Sequence, residues 1–288
     1  MISIVIITCN SAACIKACLD SLRAQAGAGF EVIIVDNGST DATRDIIKES
    51  YPQAALIANT VNVGAAGARN QGINAARGSW VLTLDSDIVL GEQFLSRFDT
   101  YLSGLPFGVG MVQPKILDSK AKIIYSCGIH MSWFFRFFDI GLGSADSEKF
   151  GKEQDIFGVC SAASFYRRQM LSDIKESYGY FDERFFFLVE DVDLSWRAHA
   201  RGWKARYFPD AACFHKGNSS GFSRKARQYL CWRNRKLMIA KNQHVFFRRA
   251  ISFVLYDAPR AIFLFFANSY VRRALLHIGE TTKDKLTR

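Results

Sequence analysis

Residues 1–85 alternate strictly between two kinds of segment, and that alternation constrains the fold more than any other feature of the chain. ISIVIIT, FEVIIVD, AALIA and WVLTLD are short apolar runs rich in β-branched side chains, whereas SAACIKACLDSLRAQ, DATRDIIKESY and GARNQGINAA space their apolar residues at helical intervals. Near-continuous apolar runs suit strands covered on both faces, and Gly27 with Gly29, Pro52 and Gly78 stop the three intervening helices. Repeated β-α units predict an α/β domain on a Rossmann-like, mostly parallel central sheet flanked by helices, with right-handed crossovers. Ligands of such sheets bind beyond the carboxyl ends of the strands. Here those ends carry Thr8 and Asn10, Asp36 and Asn37, and Asp85 and Asp87.

The chain has 288 residues, 49% of them hydrophobic, which is enough for one large core with or without an appendage. Seven scattered cysteines with no CxxC pair argue against a disulfide framework or a zinc module and for a reducing compartment. MISIVIITCN has neither a basic flank nor a cleavage signal and reads as a first strand, so a cytoplasmic location is expected. The net charge of +10 is unevenly spread: residues 1–200 hold 18 Lys and Arg against 23 Asp and Glu, and residues 201–288 hold 19 against 4. A basic block of this kind suits nucleic acid, anionic lipid or phosphorylated substrates, or is a solvated face.

The strand-end acids differ in what they need. Asp41 opens a helix and fits a capping role; Asp36 sits at the last strand position, where a buried carboxylate requires a partner such as a base-edge N–H, a ribose hydroxyl or a cation. Asp85 and Asp87, two residues apart, would raise each other's pKa unless a cation holds both ionised. Mg²⁺ accepts one or two carboxylates and fills its remaining positions with water and substrate phosphates, so the pair points to a metal-bound diphosphate. GxGxxG after the first strand and GxxxxGK[ST] are both missing, which weighs against a dinucleotide oxidoreductase and a P-loop NTPase. NVGAAGARNQG offers small residues for close backbone approach, or for tight helix packing, and Arg69 as a group that can reach a phosphate or base.

EDVD at 190–193 opens a helix, where its carboxylates complement the N-terminus. Asp193 and Arg197 are four apart and can pair on one face, leaving Asp191 free behind the aromatic run FDERFFFLVE, whose bulk would dehydrate it and strengthen it as a base.

Taken together, ISIVIITCN, VIIVDNGSTDAT, NVGAAGARNQG, LDSD, FFFLVEDVDLSWRAHARGWK and PDAACFHKGNSS resemble a family 2 inverting glycosyltransferase with the GT-A fold, most of all the branch of bacterial rhamnosyltransferases and related enzymes of cell-surface polysaccharide assembly. The resemblance covers residues 2–220 and implies a nucleotide-binding half (1–90), an acceptor-binding half (91–220) and a C-terminal helical, basic and aromatic extension (221–288). It further implies that Thr8, Asn10 and Asp36 surround the nucleobase, that Arg69 assists nucleotide binding, and that Asp85, Asp87 and His215 hold a divalent cation, Mg²⁺ or Mn²⁺, on the diphosphate. Asp191 matches the family's catalytic base, with Glu190 orienting the acceptor. FGVCSAASFYRRQML matches the acceptor-pocket region through Gly158, although Ser161, Ala162 and Ala163 replace part of the expected pattern. CGIHMSWFFRFFDIGLG reads either as a lid or acceptor surface or as plain packing.

The implied partners are a UDP- or dTDP-sugar donor, dTDP-rhamnose among them, and a glycan or lipid-linked acceptor at the inner face of the cell membrane. From Val245 to Gly279 aromatic clusters alternate with Arg248, Arg249, Arg260, Arg272 and Arg273, and the longest uncharged run, Ala261 to Val271, is about half of a bilayer span. The segment therefore reads as non-spanning: helices lying in the headgroup plane, or an oligomer interface, or helices packed on the domain. The alternative class is a non-catalytic nucleotide- or nucleic-acid-binding protein stacking bases on RQYLCWRNRK, residues 227–236; an acidic first part of the chain would repel a polyanion, and no nucleic-acid partner is expected.

Overall fold

The computed structural model describes residues 1–25, 29–217 and 221–276. The alternating segments form β1 (Ile2–Thr8), α1 (Ile15–Arg23), β2 (Phe30–Asp36), α2 (Thr43–Ser50), β3 (Ala55–Ala58), α3 (Gly64–Ala75) and β4 (Trp80–Asp85). There follow β5 (Ile88–Leu90), α4 (Phe94–Gly104), β6 (Val109–Asp118), β7 (Ile124–Ser126), β8 (Ile129–Met131), β9 (Phe137–Asp139), β10 (Gln154–Ile156), β11 (Ala163–Arg167), α5 (Arg168–Ile174), α6 (Glu190–Ala200) and β12 (Lys204–His215). Helices α7 (Arg224–Asn242), α8 (Phe246–Ser252), α9 (Ala258–Ala267) and α10 (Ser269–Leu276) complete the described chain.

The main sheet has the order β10-β12-β6-β11-β4-β1-β2-β3, with β5 and β7 attached at β12 and β6. Pairing is parallel among β4, β1, β2 and β3 and between β12 and β6, and β11 lies antiparallel between β4 and β6. Alternate residues face opposite layers, as strand geometry requires. Ile4, Ile6, Leu82 and Leu84 pack with α1, α2 and α4, while Val5, Ile33, Val81 and Tyr166 pack with α3, α5 and α6. Gly72 of α3 sits so close to β1 that an added Cβ would lie 2.2 Å from Val5 Cγ1. That contact selects packing for this glycine.

Two consequences of the topology place the site. Thr8 is in register with Asp36, and Ile7 with Asp85, so the ends of β1, β2 and β4 lie side by side. Because β11 runs backwards, its first residue Ala163 pairs with Leu84, which brings Cys160, Ser161 and Ala162 to the same edge; β12, parallel to β6, delivers His215 there as well.

The C-terminal helices are not a separate appendage. Helix α7 buries Met238 and Ile239 against Val189 and Val192 and buries Tyr229, Leu230 and Trp232 against α9 and α10. Tyr229 and Trp232 are therefore enclosed and Arg235 is paired with Asp257 at 2.7 Å, which withdraws from RQYLCWRNRK the open aromatic platform that base stacking needs. The chain runs as one helical stretch of 22 residues from Phe246 to Ala267, within which an 18-residue window reaches a mean hydropathy of 1.5. By length and composition it is long and apolar enough to cross a bilayer, so exclusion on the length of the uncharged run does not hold: a π turn at Phe253–Asp257 joins two shorter apolar pieces into one rod.

Candidate active site

Two cavities open at the carboxyl edge of the sheet and share two wall residues, Asp85 and Phe187. The smaller, about 110 Å³, is lined by Thr8, Cys9, Asn37, Asn62, Gly64 and Phe222, among others. Thr8 Oγ1 is buried without a hydrogen-bond partner. Asp36 is fully buried; Arg44 Nε (2.5 Å) and Ser39 N (3.2 Å) donate to its Oδ2, and its Oδ1 has no partner. One carboxylate oxygen is thus fixed by the protein and the other is not, although Asp36 lies behind the cavity wall and does not line it. Asn10 is placed differently from its expected base contact: exposed, at φ 51°, it accepts from Thr40 N at 2.8 Å and orders the loop after β1.

Asp85, Asp87 and His215 bring one ligand atom each to within 4.8 Å of one another. His215 Nε2 lies 3.1 Å from Asp87 Oδ1, the Gly217 N–H donates to Asp87 Oδ2 at 3.1 Å, and His215 Nδ1 is buried without a hydrogen bond. Burial opposes protonation of His215, but the hydrogen bond it donates to Asp87 and the charges of Asp87 and Asp85 outweigh it and raise its pKa. Burial likewise raises Asp85, with Arg69 opposing and Asp87 adding to the rise. Two carboxylates and one imidazole are a donor set that Mg²⁺ or Mn²⁺ accepts, the nitrogen favouring manganese.

Arg69 departs most from the sequence-based expectation. It is buried, its Nη2 donating to Asp85 Oδ1 (2.7 Å) and its Nη1 to Glu190 Oε1 (2.8 Å). A guanidinium held this way is a cross-brace between β4 and α6, not an arm reaching for a phosphate.

The larger cavity, about 240 Å³, lies beyond Asp85 and is bounded by Asp139, Glu190, Asp191, Arg227 and a set of aromatic residues. Asp193 pairs with Arg197 at 2.9 Å, as the four-residue spacing predicts. Asp191 instead turns to the cavity: its Oδ2 accepts from Ser161 N at 3.2 Å and its Oδ1 from Val192 N at 2.8 Å. Burial raises the pKa of both Glu190 and Asp191, and the proximity of the two charges adds to the rise at Glu190. A dehydrated carboxylate with a raised pKa is a stronger base.

The backbone leading into these acids is strained. Leu188 (φ 69°) and the β-branched Val189 (φ 73°) occupy the left-handed region, which costs on the order of 1–3 kcal/mol per residue and persists only where the surroundings enforce it. The enforcing group is Asn234 of α7, wholly buried, whose Nδ2 donates to the carbonyl oxygens of Phe185 (3.0 Å), Phe187 (2.9 Å) and Leu188 (2.7 Å). The C-terminal segment thus helps to set the position of Asp191. Gly158 does not line the cavity: it exchanges hydrogen bonds with Ile129 and packs on α6, where an added Cβ would lie 2.4 Å from Ser195 Oγ. Cys160, Ser161 and Ala162 form the wall expected of it. Sequence reading missed Tyr125, Asp139, Arg227, Cys231 and Asn234; the first two lie on the three-residue strands β7 and β9, too short to show a period, and the others were read as part of a basic run.

Residues 3–175 match the family model described as Glycosyl transferase family 2. The chain belongs to that family. Among curated relatives of this family 2 protein is the PGL/p-HBAD biosynthesis glycosyltransferase of Mycobacterium tuberculosis, 33% identical over 177 residues, 60% of this chain and 62% of that one. Another, the succinoglycan biosynthesis protein ExoO of Rhizobium meliloti, is 44% identical over 128 residues, 43% of this chain and 37% of the relative. The matched part thus spans less than two thirds of these relatives' own length. In fold, the family 2 chain superposes on S. aureus TarS with a TM-score of 0.59 over 99% of this chain and 47% of that one at 17% identity, and on the mannosyltransferase PcManGT from Pyrobaculum calidifontis, solved with GDP-Man and Mn²⁺, with a TM-score of 0.56 over 99% and 83% at 18% identity. The architecture expected from the β-α alternation, GT-A-like with a mostly parallel mixed sheet between helices, is the one observed.

Proposed function

We propose that the protein transfers a sugar, with inversion, from a nucleoside diphosphate sugar to an acceptor hydroxyl during synthesis of a cell-surface glycan. One observation carries this reading: Asp85 belongs to both cavities and to the Asp85–Asp87–His215 cluster, so a cation there would sit where a donor in the small cavity meets an acceptor in the large one. The cation would neutralise the departing diphosphate. Thr8 and the unpartnered Oδ1 of Asp36 would take the nucleobase, the latter accepting a pyrimidine N3–H as in a UDP- or dTDP-sugar. Asp191 would remove the acceptor proton while Glu190, fixed by Arg69, holds its orientation. Attack from the Asp191 side, opposite the diphosphate, inverts the anomeric centre.

A panel of UDP-, dTDP- and GDP-sugars tests this by thermal shift and slow donor hydrolysis with Mn²⁺ or Mg²⁺. One donor is expected to stabilise the protein by several degrees only when the cation is present, and Asp87→Asn or His215→Ala should remove the cation-dependent part. A shift equal in excess chelator would overturn the metal assignment; no shift with any donor would overturn the reading itself.

Helices α8 and α9 supply the membrane contact of this proposal. Phe246, Phe247, Ile262, Phe263 and Phe266 are each more than 60% exposed, beside Arg249 and near Arg272 and Arg273. Arg235–Asp257, together with the donation from Arg248 to Trp133 O, ties the rod along the body, which suits lying in the interface at the inner face of the membrane over crossing it. The full chain is expected to float with vesicles containing phosphatidylglycerol and to lose most of that binding on Phe246→Ser with Phe263→Ser. Absence of flotation with anionic vesicles would sink the membrane contact.

A further inference from the structure

The function proposed above leaves one half-buried acid of the large cavity without a task. Asp139 ends β9, directly across the hairpin from Ile129, and Ile129 is bonded on its other side to Gly158; Phe135 in the hairpin turn is fully buried and stacks on Trp196 of α6 at 5.3 Å. The hairpin is therefore a fixed wall of the large cavity, not a lid. Asp139 belongs to that wall, and its Oδ1 is buried without a hydrogen-bond partner. Ser126 and Cys160 stand beside the carboxyl and favour its ionised form, but no hydrogen bond reaches Oδ1, and a carboxylate oxygen enclosed in this way needs a donor. Phe137 and Phe138 precede Asp139 on the same strand and line the cavity together with Phe187.

We propose that Asp139 with Phe137, Phe138 and Phe187 forms the acceptor subsite, and that it takes a neutral pyranoside: a second hydroxyl of the acceptor sugar donates to Asp139 while the reacting hydroxyl donates to Asp191, and the apolar C–H face of the ring lies on the phenyl groups. This rests on the transferase reading and narrows it. Aromatic faces suit the C–H side of a sugar, and two carboxylates bordering one cavity suit a pair of hydroxyls on one ring. Anionic acceptors are disfavoured, because Asp85, Asp139, Glu190 and Asp191 all border the space and Arg69 is already shared between Asp85 and Glu190. The other arginine on the wall, Arg227, lies near His215, on the side of the diphosphate.

Saturation-transfer NMR on the full chain with UDP and Mn²⁺ tests the subsite with defined probes: methyl α-L-rhamnopyranoside and methyl β-D-glucopyranoside as neutral sugars, methyl β-D-glucuronide and ribitol 5-phosphate as anions. The neutral probes are expected to bind, with the strongest transfer to ring C–H protons, and the anions to bind at least about tenfold more weakly. Asp139→Ala should weaken the neutral probes about tenfold, the loss expected for one hydrogen bond to a charged group, and Asp139→Asn, which keeps an acceptor oxygen, should weaken them less. The Mn²⁺-dependent thermal shift given by the nucleotide should be unchanged in both variants, which separates failure of this subsite from failure of the donor site. Neutral-sugar binding unaltered in Asp139→Ala, anionic probes binding as tightly as neutral ones, or no neutral probe binding to the parent would each overturn the proposal; should the alanine variant not fold, unaltered binding in Asp139→Asn together with phosphate-bearing probes binding best would do the same.

Discussion

Asp191→Asn is expected to cut sugar transfer by about 10²- to 10⁴-fold, the usual worth of a positioned general base, while leaving donor affinity within about twofold. Asparagine preserves the shape, its single amide oxygen can accept from either Ser161 N or Val192 N, and Asn234 still holds the strained turn at Leu188–Val189, so what is lost is proton acceptance and one of the two backbone hydrogen bonds. Single-turnover transfer measured beside a donor titration separates the two effects. Transfer at the parental rate would remove Asp191 from the mechanism, and loss of donor binding together with transfer would make its role one of position.

Replacing Arg69 by methionine is expected to be the most damaging change to stability. The guanidinium is enclosed between Asp85 and Glu190, so its removal leaves the buried Glu190 and the half-buried Asp85 without their shared counter-charge. Breaking a buried pair from one side typically costs about 3–5 kcal/mol, or on the order of 10 °C in melting temperature for a chain of this size. Removing the second charge as well should relieve part of the cost, so Arg69→Met with Glu190→Gln is expected to melt above Arg69→Met alone. A single variant melting within about 2 °C of the parent would show that water already reaches and screens the pair.

These two residues differ in how far the chain itself announces them. Asp191 could be singled out because helical spacing commits Asp193 to Arg197 and leaves its neighbour over. Arg69 could be noticed but not understood: nothing near it in sequence shows that its partners are 16 and 121 residues away. Asp85, Asp87 and His215 were legible as types suited to a cation, yet only the parallel pairing of β12 with β6 brings His215 to Asp87. Gly158 illustrates the opposite error. Its small size serves the approach of a helix, and the adjacent Cys160–Ala162 turn forms the wall.

What the sequence determined by itself is the layered α/β frame and the carboxyl edge where ligands meet it, because strand and helix periodicities and strand-end acids are local properties that short stretches of chain carry in full. What the tertiary structure alone decided is the make-up of the larger cavity: the hairpin that offers Asp139, the bracing of Arg69, and the reach of Asn234 from α7 to the strained turn before Glu190. Those groups are assembled by contacts between distant segments, and the free energy that selects such contacts depends on burial and partner geometry that no single segment encodes.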